Sequence, residues 1–152
     1  MRVNLVDIVY GLEVQSDDHL FYVNRHTGII THIVEKFLYI AQEEKDIAVE
    51  MEKWEKEEFY LAKTVVNNRD DYILLPGMPP IHDIMIQFSR TVEDIEQQRT
   101  LLQTIQQEDT FKPFRSLLKR YELLDDWYGF REAVYIEVAR MFCEKHQLNY
   151  EQ

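Results

Sequence analysis

One local pattern constrains the fold of this chain more than any other. Phe21-Tyr22-Val23 and Ile29-Ile30-Thr31-His32-Ile33 are β-branched and aromatic runs, and Asn24-Arg25-His26-Thr27-Gly28 separates them. Asn and Gly tolerate the positive φ of a tight turn. Residues 19–34 therefore predict a β-hairpin with a loop of about three to five residues. Two strands alone are marginal in water, so a third strand or a helix must cover them. Asp71-Tyr72-Ile73-Leu74-Leu75-Pro76 reads as a short buried strand stopped by its proline, and it can be the third strand of the sheet.

The rest of the chain has helical periodicity. Asn4 is a candidate N-cap for a short helix whose Leu5, Ile8, Val9 and Leu12 recur on one side, with Gly11 weakening it. Residues 35–69 predict a helical region in which Glu43 to Glu58 holds eight acids against three lysines. Its part at 43–50 is expected to be flexible or solvated. From Trp54 onward, Phe59, Leu61, Ala62, Val65 and Val66 form its stripe. A helix from Pro80 or Ile81 would turn Ile81, Ile84, Met85 and Phe88 inward, using the preset φ of proline. Another at 93–107 has Ile95, Leu101, Leu102 and Ile105 as a thin apolar side, with acids in its first turn. Thr110 is the expected cap of a helix over 111–122. Asp125 or Asp126 is the expected cap of a last helix reaching His146. The expected class is α+β: a single domain over 1–152, with a small antiparallel sheet of two or three strands against about six helices and a helical C-terminal half.

Composition narrows the function. Apolar residues make up 45% of the 152 positions, enough for a sizeable core. Cys143 stands alone, so no disulfide can form within the chain and a thiolate zinc cluster is excluded. No apolar stretch approaches the roughly 18–20 residues that span a bilayer, so no membrane partner is expected. The N-terminal apolar run is broken by Asp7 and lacks a small-residue cleavage site, which points to the cytoplasm. The net charge of −11 disfavours nucleic acid as a partner.

The most distinctive stretch is 111–131. Phe111, Phe114, Leu117, Leu118 and Tyr121 share one helical face, while Lys112, Arg115, Lys119 and Arg120 lie off it with no acid between Lys112 and Tyr121. With Arg131 they can form an anion site for a phosphate or an acidic peptide, and Tyr128 or Tyr121 can stack on a bound group. Pro113 near the helix start leaves backbone donors free close by. The competing reading is a core helix whose basic side pairs with the acids of 43–58. Trp127, Phe130, Val134, Val138 and Met141 form a second stripe, flanked by Tyr128, Tyr135 and Phe142, and read as core.

Enzyme signatures are missing. The five histidines form no HExxH or HxH, and no phosphate-binding glycine loop or nucleophile elbow occurs. No cofactor and no metal are expected. Cys143 reads as a small buried residue. A hydrolase using clustered carboxylates would need a cleft joining His82 to two acids.

Three segments together carry a resemblance: 21–33, 71–92 and 110–150. In this order and at these separations they resemble uncharacterised protein family 0158, a group of small acidic bacterial proteins, over nearly the whole chain. The third segment is the most specific, through Phe111, Phe114, Leu118, Asp126-Trp127-Tyr128 and Phe130-Arg131. The chain departs from the family where members tend to carry a Gly-Arg-Gly-type turn and it has Gln107-Glu108-Asp109. It departs again near Met141-Phe142, where a Trp often stands. The resemblance implies a bacterial or phage cytosolic protein and transfers no catalytic residue. The functional expectation is a non-enzymatic protein-interaction or regulatory module, with a protein partner and a homodimer among the expected assemblies. The alternative is a phosphate- or nucleotide-binding protein using Lys112, Arg115, Lys119, Arg120, Tyr128 and Arg131.

Overall fold

In a computed structural model of the chain, which describes residues 1–43, 51–107 and 111–152, Asn4 starts the first helix as its side chain suggests. Strand β1 (Val3–Asn4) leads into α1 (Leu5–Val14), and Asn4 Oδ1 accepts from the Val6 N–H at 2.9 Å. This satisfies one of the free donors of the first turn. The described residues divide into two compact units, 1–77 with 138–152, and 78–137.

In the first unit, α1 buries Leu5, Ile8, Gly11 and Leu12. The hairpin follows as β2 (His19–Asn24) and β3 (Ile30–Val34), antiparallel, with Phe21 opposite His32 and Tyr22 opposite Thr31. Its turn is built by Asn24 and Gly28. Asn24 Oδ1 accepts from the N–H groups of His26 and Thr27 at 2.8 and 3.1 Å. Gly28 takes φ 75° and donates to the Asn24 carbonyl at 2.8 Å. A side chain at Gly28 would be strained, and its Cβ would meet the Arg2 carbonyl oxygen at 3.0 Å.

Helix α2 (Glu35–Gln42) and helix α3 (Lys53–Asn67) follow. Ile33, Phe37, Leu38, Ala41, Phe59, Ala62 and Val65 form one buried cluster from β3, α2 and α3. Two acids of the charged run have a structural task. Glu52 caps α3 in a capping box with Glu55, whose carboxylate accepts from the Glu52 N–H at 3.2 Å. The acids Glu44, Asp46 and Glu50, the expected flexibility of 43–50 beyond Glu43, and the expected cap Thr110 lie outside the described residues. After a 3₁₀ turn at Arg69–Asp71, β4 (Tyr72–Leu74) pairs antiparallel with β2, giving the order β3-β2-β4. The third strand is thus the one the sequence indicates.

The second unit holds α4 (Ile81–Thr91), α5 (Ile95–Ile105), α6 (Phe111–Arg120) and the first part of α7 (Leu124–Lys145). Pro80 precedes α4 as its N-cap residue, and Asp94 caps α5 by accepting from the Gln97 N–H at 3.1 Å. Ile84, Met85, Phe88, Leu101, Ile105, Phe114, Leu118 and Trp127 make its core. Trp127 is the hub, with ring centroids 5.5 Å from Phe88 and 5.3 Å from Phe114 in edge-on geometry. The end of α7 belongs to the first unit, where β5 (Tyr150–Glu151) pairs parallel with β1.

The class is α+β, with seven helices among the described residues, a three-stranded antiparallel sheet and a parallel pair. Several details differ from the sequence reading. The β1–β5 pair carries too few residues to show a period. Asp125 and Asp126 do not cap α7; the helix begins at Leu124, so both lie in its first turn. Leu61, Ile95 and Met141 are exposed, because each stripe is narrower than its apolar positions suggest.

Candidate functional site

The amphipathic split of α6 decides where its cations go. Phe114 and Leu118 are fully buried and Leu117 and Tyr121 half-buried, which leaves the opposite side to water. Lys112, Arg115 and Lys119 stand at i, i+3 and i+7, so one exposed face carries all three. Ser116 lies among them and donates to the Lys112 carbonyl at 3.1 Å. Arg120 is exposed on the flank, and with Lys119 it occupies the last turn, where the helix dipole favours cations.

The six residues singled out in the sequence fall into two groups. Arg115 Nε–H donates to the Tyr128 hydroxyl at a long 3.5 Å, so a guanidinium and an exposed phenol stand together. Arg131 is held elsewhere. Its Nε–H donates to the Tyr135 hydroxyl at 3.4 Å, and its guanidinium carbon lies 5.4 Å from the centre of that ring. Among the described residues no ion pair engages Lys112, Arg115, Lys119, Arg120 or Arg131. Lys112, Arg115, Lys119, Arg120 and Tyr128 are exposed, and Arg131 is half-buried.

The second unit also has a cleft of about 650 Å³. Glu93, Asp94, Asp125 and Asp126 line it over the rings of Phe88 and Phe130. His82 is not in its lining, so the pairing that a carboxylate hydrolase would need is not formed there. Asp94 is already engaged as the cap of α5. No group of three or more His, Cys, Asp or Glu among the described residues can hold a metal ion.

Histidine pairs are the feature that motif spacing misses. His19 Nδ1 and His32 Nε2 lie 2.8 Å apart, and the two rings stack at 5.0 Å. Because Phe21 faces His32 across the hairpin, His19 is the diagonal neighbour of His32 on the same face. The signal was available in the hairpin register, not in any linear motif. His26 in the turn contacts Asp71 at 2.7 Å and ties the loop to the start of β4. Cys143 is buried, and desolvation, then the charge of Glu144, pushes its thiol up to about 11. It stays a protonated thiol at neutral pH, as its place in the sequence suggests.

The model of uncharacterised protein family UPF0158 matches residues 3–148. The chain belongs to that family. The match runs through both units and includes the whole cationic face of this UPF0158 chain. No curated protein and no solved structure matches it. No helix among the described residues is long and apolar enough to cross a membrane.

Proposed function

We propose that this UPF0158 chain is a non-enzymatic protein-interaction module and that the exposed face of α6 receives an acidic segment of a partner protein. The observation that carries the reading is the stripe of Lys112, Arg115 and Lys119, without ion pairs among the described residues, on a chain of net charge −11. A concentrated positive face on an acidic molecule selects partners by sign and speeds their encounter. An open helix face suits an extended or helical protein segment better than a small molecule, which is gripped in a concavity. The contact of Arg115 with Tyr128 supports a second reading, a phosphate or nucleotide bound there, since a guanidinium pairs well with phosphate oxygens.

The test places a photo-crosslinking amino acid at the exposed Ser116 in cells of the native host. The expected result is an adduct with one protein at an acidic segment, lost in Lys112→Glu/Lys119→Glu. An adduct of twice the chain mass would identify a second copy as that partner. Crosslinking no stronger than from the same amino acid at Gln103 would remove the interaction reading. A nucleotide panel that raises the melting temperature of the native chain, but not of Arg115→Ala, would favour the ligand reading instead.

A further inference from the structure

The first unit contains a groove of about 610 Å³ beside β4 and the end of α7. Its walls are Leu74, Leu75, Pro76 and Gly77 on one side and Val138, Met141 and Phe142 on the other. Lys145 and His146 complete the lining. The volume lies in the roughly 300–1,000 Å³ range of small-molecule sites. Its surface is apolar and open: Met141 is 57% exposed and Leu74 45%. Methionine adapts its shape to what it covers, which suits a flexible chain.

Charge distinguishes one end of this groove. The chain carries 28 acids and 17 Lys and Arg, yet the charged side chain in the groove lining is Lys145, with His146 beside it. Arg25 and Lys145 are close enough for their charges to act on His146. The neighbouring acid is engaged, because Glu144 pairs with Arg140 and accepts from the Tyr150 hydroxyl. Among the described residues Lys145 has no ion pair. An apolar trough with a cationic end is complementary to a molecule with an apolar tail and an anionic head.

We infer that this groove binds a single-chain carboxylate amphiphile, with the acyl chain along Leu74, Val138, Met141 and Phe142 and the carboxylate at Lys145 and His146. The site is separate from the α6 face, and neither proposal depends on the other. Head recognition is electrostatic, and tail recognition follows apolar area. Affinity therefore rises with chain length, by about tenfold for each two methylenes that the groove covers.

The probe is dodecanoate below its micellar concentration, titrated calorimetrically into the full chain. The expected result is saturable one-to-one binding, at least tenfold weaker for octanoate. Met141→Glu, at an exposed position, should weaken dodecanoate at least tenfold, and Lys145→Glu at least fivefold. Dodecanol and dodecyltrimethylammonium should bind at least fivefold more weakly than dodecanoate. Equal binding of dodecanol, or undiminished binding in both folded variants, would overturn the proposal. Absence of saturable binding would do the same, as would association only with anionic vesicles. Circular dichroism and urea midpoints of both variants separate a lost site from a lost fold.

Discussion

Gly11 and Leu75 are in such close contact that a Cβ built on Gly11 lies 2.7 Å from Leu75 Cδ1. The Phe21 ring closes the same space at 3.3 Å. Gly11 is therefore not a mere weakness in α1; it lets the helix approach the sheet. Alanine would improve helix propensity by about 1 kcal/mol. Against this, Leu75 and Phe21 are both buried, and overpacking costs about 1–3 kcal/mol. Gly11→Ala is expected to lower stability by about 1 kcal/mol, read as a lower urea midpoint at unchanged slope. A midpoint that rises would mean that Leu75 yields freely.

Glu122 ends α6 in a conformation that glycine prefers. Its φ is 58°, and the Leu123 N–H donates to the Leu118 carbonyl at 2.8 Å while the Glu122 N–H donates to Lys119 at 3.2 Å. This is a Schellman-type stop without its usual glycine. A left-handed L-residue costs about 1–2 kcal/mol, and glycine recovers it less the extra entropy of the unfolded chain. Glu122→Gly should raise stability by about 0.5–1 kcal/mol in urea unfolding, whereas Glu122→Ala should not. The same cap recurs at Gln147, with φ 57° and Leu148 N–H donating to Cys143 at 2.8 Å. Gln147→Gly should then shift in the same direction. If both glycine variants lose stability, the left-handed residues are not the strained points of these helix ends.

The elements legible in the sequence are those with a local physical cause. Asn24 and Gly28 write the hairpin turn, Asn4 the first cap, and Pro80 the start of α4. The cationic side of α6 follows from a buried face that Phe114 and Leu118 define. Long-range choices were not legible. The spacing at Trp127, Phe130, Val134, Val138 and Met141 suggests a single stripe, but Trp127 is buried and Met141 is exposed. Toward the C-terminal end α7 buries Ala139, Phe142 and Cys143 and leaves Met141 exposed. A period shows where apolar residues recur and cannot report which of them are covered. Nor does charge alone show that the Arg131 Nε–H donates to the Tyr135 hydroxyl one turn later. The apolar groove at Leu74 and Met141 has no linear signature, because it joins residues from distant parts of the sequence.

His146 gives stability a specific pH dependence. It packs on the Phe142 ring at 4.8 Å between centroids and is half-buried. Burial first, then the charges of Lys145 and Arg25, hold its pKa below the ordinary 6.5. The folded chain therefore accepts this proton less readily than the unfolded chain does. Above about pH 8 both states are neutral at this position and the contribution is flat. As pH falls through 6.5, the unfolded chain binds the proton first, and stability declines until the folded-state pKa is passed. Urea midpoints of the native chain and His146→Gln at pH 7.5, 6.5 and 5.5 isolate this effect from the other histidines. The variant should show a shallower decline, with the difference growing between pH 6.5 and 5.5. Parallel curves would mean that His146 takes up its proton equally in both states, and that the burial and charge at this position do not act on it.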